Sequence, residues 1–261
     1  SLTRATWDTD FWVMAHTNLG RLLTNEGRPA EAVTAFEAIL ERDPDDTDVR
    51  SLLAMALAQS GQGAGALSVF DEILAREDGA PLDYYNAGVT LYGAGELDKA
   101  VLAFEKTIAR SPMYKDALQN LTQTYFELED YEALIPHAQR LLELDPFNDY
   151  VHRMYVRALG QLEHADLIPA LDVLQALPFL VDELALQPLG AGCRISGVAV
   201  NNTLDSGTSI ILRFTFYDNA GNTVGSELTE VTVSDPEVAH PFDVTFDAET
   251  QILGYSYELV G

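Results

Sequence analysis

The pattern of apolar and polar positions divides the chain into two regimes. Over residues 1 to about 178, apolar residues recur at three- and four-residue spacing, which predicts amphipathic helices. From about residue 183 onward, β-branched and aromatic residues alternate with polar ones, which predicts strands. Pro178 ends the last predicted helix because its nitrogen cannot donate a hydrogen bond. The joining segment 175–192 is apolar, so we expect the two parts to be docked against each other.

The helical part repeats one phrase at a fixed interval of 34 residues. "AFEAILERDP" begins at residue 35, and related phrases begin at residues 69, 103 and 137. The recurring residues are turn glycines, second-helix aromatics and closing prolines: Gly27, Gly61 and Gly95; Phe36, Phe70 and Phe104; Pro44, Pro112 and Pro146. Glycine turns the chain, the aromatic fills the space between hairpins, and proline stops the helix. No such hairpin buries its apolar face alone, so we expect neighbouring hairpins to stack.

This period and these positions resemble the tetratricopeptide repeat (TPR) over about 140 residues. The fourth unit departs from the pattern, with Glu129, Leu134 and Ala138 in place of the glycine, the small residue and the aromatic. A fifth hairpin begins at Asp149 and lacks the aromatic, and we interpret it as a cap. We expect its leucine stripe (Leu167, Leu171 and Leu174, with nearby Phe179 and Leu180) to be covered by the C-terminal part.

The C-terminal part has at least five strand candidates, near residues 193–201, 208–217, 223–233, 240–247 and 251–259. "YDNAGNTV" predicts a hairpin turn, and an antiparallel sandwich fits the spacing. "LRFTFYDNAG" resembles the signature of the bacterial FxLYD domain, an immunoglobulin-like module of exported proteins. Phe214, Tyr217 and Asp218 match that signature, whereas Phe216 stands where the family has leucine. The resemblance implies a periplasmic, extracellular or envelope-associated bacterial protein, with a cytoplasmic location left open, and it transfers no catalytic residue.

The predicted fold is therefore multidomain α + β. Residues 1–180 would form an α-α superhelical TPR solenoid of four repeats plus a capping helix pair. Residues 183–261 would form an immunoglobulin-like, FxLYD-like β-sandwich.

The charge balance narrows the choice of partners. Asp and Glu number 41 against 15 Lys and Arg, which gives a net charge of −26. Such a surface repels phosphate backbones and anionic lipids, so we expect no nucleic-acid partner. No apolar run is long enough to insert in a membrane. The acidity fits either ordinary solubility or adaptation to high salt.

Candidate chemistry is sparse. The five histidines are scattered, and the sequence contains no HExxH helix, no Gly-rich phosphate loop and no GxSxG elbow. Cys193 precedes an apolar strand and is expected to be a core thiol. "DPDDTD" at 43–48 and "DNAGN" at 218–222 fit a helix cap and a turn better than calcium sites. We expect no cofactor, no metal and no enzymatic activity.

The TPR resemblance also nominates a binding surface. In that family the first helix of each hairpin lines a concave groove, and its inward positions are rich here in aromatics, Met and Arg. The predicted partner-binding residues are Arg21, Met55, Tyr85, Val89, Tyr92, Gln123, Phe126, Tyr150, Arg153 and Arg157. Arg153 and Arg157 are one helical turn apart and could share one carboxylate ligand. The alternative is that some of these rings simply pack between helices.

The sequence thus predicts a non-enzymatic scaffold or assembly subunit that binds a peptide segment of a protein partner, with membership of a larger assembly left open. Two alternatives stay open. One is a structural subunit of a surface assembly or polymer, joined through edge strands. The other is an accessory domain of a larger enzyme or transport system.

Overall fold

The structure, a computed structural model, describes residues 2–190 and 192–260, with side chains from residue 11 onward. The described residues form helices followed by strands, and the chain divides into two compact units, Ser1–Thr107 and Ile108–Gly261. The helices are α1 (Leu2–Asn25), α2 (Pro29–Leu40), α3 (Thr47–Gln59), α4 (Gly63–Ala75), α5 (Pro81–Gly93), α6 (Leu97–Arg110), α7 (Lys115–Glu127), α8 (Tyr131–Leu144), α9 (Asp149–Gln161) and α10 (Leu167–Ala176).

The first unit follows the predicted 34-residue period. Its second helices begin at Pro29, Gly63 and Leu97. The preceding turns contain Gly27, Gly61 and Gly95 with φ of 74°, 81° and 79°, a left-handed conformation that glycine adopts without strain. Asp46 caps α3 by accepting a hydrogen bond from the backbone N–H of Val49 at 3.0 Å. The acidic stretch at 43–48 is therefore a helix cap, as predicted.

Glycine and phenylalanine form complementary pairs within the hairpins. A Cβ atom built on Gly88 would lie 2.5 Å from the ring of Phe104, and one on Gly20 would lie 2.4 Å from Phe36. The absence of a side chain on the first helix thus makes room for the aromatic on the second. In the fourth repeat the larger residue of the pair, Thr122, lies on the first helix and the smaller, Ala138, on the second. Both are fully buried. The departure seen in the sequence therefore leaves a packed interior.

The second unit contains α7–α10 and two antiparallel sheets. The strands are β1 (Phe179–Leu189), β2 (Gly192–Asn201), β3 (Ser209–Tyr217), β4 (Thr223–Thr232), β5 (Ala239–Phe246) and β6 (Gly254–Leu259). One sheet has the order β1-β2-β5 and the other β4-β3-β6. Buried residues of both sheets, among them Phe179, Ile195, Phe214 and Phe216, belong to one hydrophobic cluster.

The predicted hairpin lies between β3 and β4. The Asp218 carboxylate accepts the backbone N–H groups of Ala220 and Asn222, each at 2.9 Å. These hydrogen bonds lower the pKa of Asp218, the largest contribution coming from Asn222. All five predicted strands are present, whereas β1 was missed. Its alternation of buried and exposed positions is weak beyond Val181, and its Leu- and Ala-rich sequence resembles a linker.

Helices and sheets meet inside the second unit. Contacts run from α7 and α8 to β6 and from α9 to β1. Phe147, in the α8–α9 loop, stacks on Phe179 with ring centroids 4.3 Å apart. α10 packs on α9, and the predicted interface residues Leu167, Leu171 and Leu174 are half-buried. Phe179, also predicted, lies at the contact between helices and sheets. A contact of the α10 leucines with the strands stays a prediction.

Candidate functional site

The predicted binding residues of the first unit lie on its first helices, α1, α3 and α5. Arg21 is exposed and Met55 is half-buried, and both line a cavity of about 210 Å³ together with Thr24, Asn25 and Leu52. The structure therefore brings the first two predicted residues together. The cavity is small, with room for one side chain rather than a cofactor.

α5 contributes three predicted residues at helical spacing. Val89 is 43% exposed, and Tyr85 and Tyr92 are half-buried. The Tyr85 ring lies 6.2 Å from that of Phe104 at an angle of 54°. Tyr85 thus serves partly as packing, as the alternative reading held, while it keeps an accessible surface.

The predicted residues of the second unit form what we call the α7/α9 face, comprising Gln123, Phe126, Tyr150, Arg153 and Arg157. The Tyr150 hydroxyl donates to the side-chain oxygen of Gln123, which ties α9 to α7. The amide nitrogen of Gln123 in turn donates to Glu127 at 3.0 Å. Burial raises the pKa of Tyr150, so its hydroxyl remains a donor at neutral pH. Tyr150 is nonetheless 48% exposed, so its ring is accessible to a ligand.

The two arginines of the α7/α9 face have different environments. The Arg157 guanidinium lies over the Phe126 ring, 5.0 Å from its centroid, in a cation–π arrangement. Arg153 donates to the Asp149 carboxylate on its own helix at 2.5 Å, and this hydrogen bond raises the pKa of Arg153. Both arginines are exposed. Arg157 is therefore the better-placed cation for a ligand carboxylate, because Asp149 already offsets the charge of Arg153.

A buried polar network lies beside this face, and the sequence pattern gave no sign of it. The Lys115 ammonium contacts Asp145 at 2.7 Å and donates to the Tyr255 hydroxyl at 2.9 Å. Tyr257 donates to the other oxygen of Asp145 at 2.5 Å. Burial works to lower the pKa of Lys115, but the Asp145 carboxylate and Tyr255 outweigh it and the net shift is upward. The network joins α7 and the α8–α9 loop to β6, and it positions the α7/α9 face.

Other candidate chemistry is absent from the described part of the chain. Cys193 is fully buried in β2, and burial raises the pKa of its thiol to about 11, so it stays protonated at neutral pH. No cluster of three or more His, Cys, Asp or Glu side chains among the described residues could hold a metal ion. None of the helices in the described ranges has the length and apolar character needed to cross a membrane.

Comparisons with known proteins bear on the helical repeats. Tetratricopeptide-repeat family models match residues 23–87 and 85–149. A crystal structure of MamA protein is similar with a TM-score of 0.52 at 16% identity, covering 62% of this chain and 90% of that chain. MamA AMB-1 gives a TM-score of 0.52 at 21% identity, covering 64% and 92% of the two chains.

A third structure, MamA 41-end from Desulfovibrio magneticus RS-1, gives a TM-score of 0.50 at 22% identity, covering 62% of this chain and 90% of that chain. At these identities the likeness shows the fold alone. No curated protein matches the chain. The family matches, the 34-residue period and the glycine–phenylalanine pairs agree with one another. Residues 23–149, just under half of the chain, thus match tetratricopeptide-repeat models and fold as helical hairpins of that kind.

Proposed function

We propose that this chain is a non-enzymatic scaffold that binds a peptide segment of a partner protein on the first helices of its repeats. Tetratricopeptide repeats are protein-interaction modules, which supports the scaffold role. The residues we assign to binding are the ten predicted from the sequence. They mix aromatic area, amide groups and arginines, which are the groups enriched in interface cores.

The observation that carries the proposal is the arrangement of Phe126, Arg157 and Tyr150. An exposed aromatic supplies contact area at low entropic cost, since it has few rotatable bonds. Stacking on Phe126 restrains Arg157, so less conformational entropy is lost when it pairs with a carboxylate. The hydrogen bond between Tyr150 and Gln123 restrains the neighbouring ring in the same way. A surface with pre-ordered side chains of this kind suits recognition of an extended or helical segment that carries an acidic group.

We also infer that the two sheets form an immunoglobulin-type sandwich of the FxLYD kind, and that the protein works in the bacterial envelope. The shared hydrophobic cluster of the sheets and the Asp218 turn support the first inference. The location rests on the FxLYD resemblance alone. A secretion assay of the native gene product, followed by fractionation, tests it, and recovery only in the cytoplasm would contradict it.

The experiment for the binding proposal compares variants in capture of partners from native extract. The binding variant is Phe126→Ala with Arg157→Glu. The matched control is Leu228→Ala with Arg213→Glu, which likewise truncates a large apolar side chain and reverses an arginine charge, on β4 and β3. We expect the binding variant to lose its partner and the control to retain it. Equal capture by the wild type and the binding variant would overturn the proposal.

One observation favours a second function, assembly through a sheet edge. β4 lies at the edge of its sheet, and its Leu228 is 59% exposed. An exposed edge with an apolar residue can pair with another chain. If the control variant loses assembly in solution while the binding variant keeps it, this second function is favoured over the first.

A further inference from the structure

A cleft of about 460 Å³ lies between α8, α9 and α10, on residues that the proposed function does not use. Its walls are mostly apolar, formed by Leu142, Pro146, Pro169, Ala170 and Val173. A volume of this size is within the range of pockets that hold a small ligand or one or two side chains of a peptide.

The cleft coincides with a break in the repeat period. Successive second helices begin at 29, 63, 97 and 131, a constant step of 34, but α10 begins at 167, a step of 36. Compared with a constant step of 34, this delay moves the buried face of α10 by two residues along the sequence, which is about half a helical turn. Ala170 thereby becomes the buried small residue of α10, while Val173 remains 53% exposed. Counted from Ala170, the position of the aromatic in the first three repeats is occupied by Leu174, so the fifth hairpin lacks that aromatic.

The polar groups that line the cleft are two exposed carboxylates, the exposed Gln139, and the buried Tyr155 and His152. Gln139 donates to the Tyr155 hydroxyl at 2.8 Å, which holds these two side chains together. Glu143 and Asp166 line the cleft and are exposed. The lining residues in the described part of the chain include neither lysine nor arginine. The Nδ1 atom of His164 accepts the backbone N–H of Asp166 at 3.2 Å.

We propose that this cleft binds a peptide segment of a partner protein in which a large apolar side chain precedes a lysine or arginine. The apolar side chain fills the space between Leu142, Pro169 and Val173. The cation then lies at the rim, where Glu143 and Asp166 attract it and no neighbouring lining residue repels it. This ligand has the opposite charge to the acidic segment proposed for the α7/α9 face. The two sites can therefore be tested separately, and failure of one leaves the other standing.

The test uses three acetylated tetrapeptide amides that share a para-fluorophenylalanine. The residue that follows it is lysine, glutamine or glutamate. Fluorine NMR titration of each peptide at millimolar concentration with the whole chain measures binding. We expect affinity to fall in the order lysine, glutamine, glutamate. Equal affinity for the three peptides, or no binding by any of them, would overturn the proposal.

Variants of the cleft locate the site. Val173→Trp fills the cleft from an exposed position, and we expect it to abolish binding of the lysine peptide. Glu143→Gln with Asp166→Asn should weaken that peptide about fivefold and leave the glutamine peptide unchanged, since each rim pair is partly screened by solvent. The matched control, Asp205→Asn with Glu249→Gln, removes two exposed carboxylates away from the cleft. A fall in affinity as large in this control would mean that overall charge, not the cleft, attracts the peptide, and would overturn the proposal.

Discussion

The Lys115 ammonium lies 2.7 Å from the Asp145 carboxylate, and the two side chains are 2% and 0% exposed. A buried charge is costly unless it is paired and hydrogen-bonded. Here Tyr255 and Tyr257 complete the pair from β6, and Asn148 donates to Asp145 at 2.9 Å. The stability of the second unit therefore depends on a contact between residues far apart in the chain.

Removing one member of this pair should be strongly destabilising. We expect Lys115→Met to lower the free energy of unfolding by about 3–5 kcal/mol, because the Asp145 charge would be left buried without its cation. Arg213→Met, which breaks the exposed ion pair with Glu258, should cost about 1 kcal/mol or less. Urea unfolding followed by the near-ultraviolet circular dichroism of tyrosine measures both. Equal costs for the two variants would show that the buried pair has no special role.

Asp83 makes the first unit more stable at mildly acidic pH. It is 4% exposed, its Oδ2 atom has no hydrogen-bond partner among the described residues, and burial, helped by Asp48, raises its pKa to about 6. The folded state therefore favours the protonated form. Ionisation of the buried Asp83 carboxylate therefore lowers the free energy of unfolding, and this cost is largest above about pH 6. The cost decreases as the pH falls from about 6 toward 3.8, the pKa of the unfolded state.

Asp83→Asn should remove this pH dependence of the stability of the first unit. We expect the variant to gain about 2–3 kcal/mol relative to the wild type at about pH 7.5, and the gain to shrink to about 1 kcal/mol at about pH 4.5. Both tryptophans, Trp7 and Trp12, lie in the first unit, so their fluorescence during urea unfolding reports on it. A stability difference that is the same at both pH values would show that Asp83 does not titrate in this range.

The Gly88–Phe104 contact predicts opposite effects for two substitutions in α5. Gly88→Ala should destabilise the first unit by about 1–3 kcal/mol, because the new methyl group would overlap the Phe104 ring. Gly93→Ala, in the same helix, should stabilise it by about 0.5–1 kcal/mol, since a Cβ there meets no atom within 4 Å among the described residues. Tryptophan fluorescence again measures both. A gain from Gly88→Ala would contradict the assigned packing.

Added salt should stabilise the fold as a whole. A net charge of −26 implies repulsion among carboxylates in the compact state, and salt screens it. We expect the melting temperature to rise from low to molar potassium chloride. A flat or falling melting temperature would mean that the acidic groups are already compensated locally, and it would remove the high-salt interpretation of the composition.

The repeats were predictable because they are periodic and local. Each repeat can be recognised within one 34-residue unit of sequence, from its turn glycine, its Phe36-type aromatic or a cap such as Asp46. The β3–β4 hairpin was predictable for the same reason, since Asp218 and Asn222 form its turn within a few residues.

Contacts between residues far apart in the chain could not be recognised from the local sequence pattern. Lys115 reads as an ordinary residue at a helix start, and Asp145 as a turn residue before a proline, yet the Tyr255 that contacts Lys115 is 140 positions away. The strand β1 was not predicted because its composition is not typical of a strand. It is a strand because it pairs with β2 and places Phe179 in the core. The cleft beside α10 coincides with a two-residue shift in the helix period, and the residues that line it come from three helices.

The most direct test of partner binding on the first helices is photocrosslinking from single positions. Benzoylphenylalanine would replace Tyr150 on the α7/α9 face or, as the matched control, Glu132, which is exposed on the second helix α8. Each protein would be irradiated in native extract, and adducts would be identified by mass spectrometry. The account predicts a specific protein adduct from position 150 that is absent from position 132. Adducts from position 132 alone, or the same adducts from both positions, would contradict it.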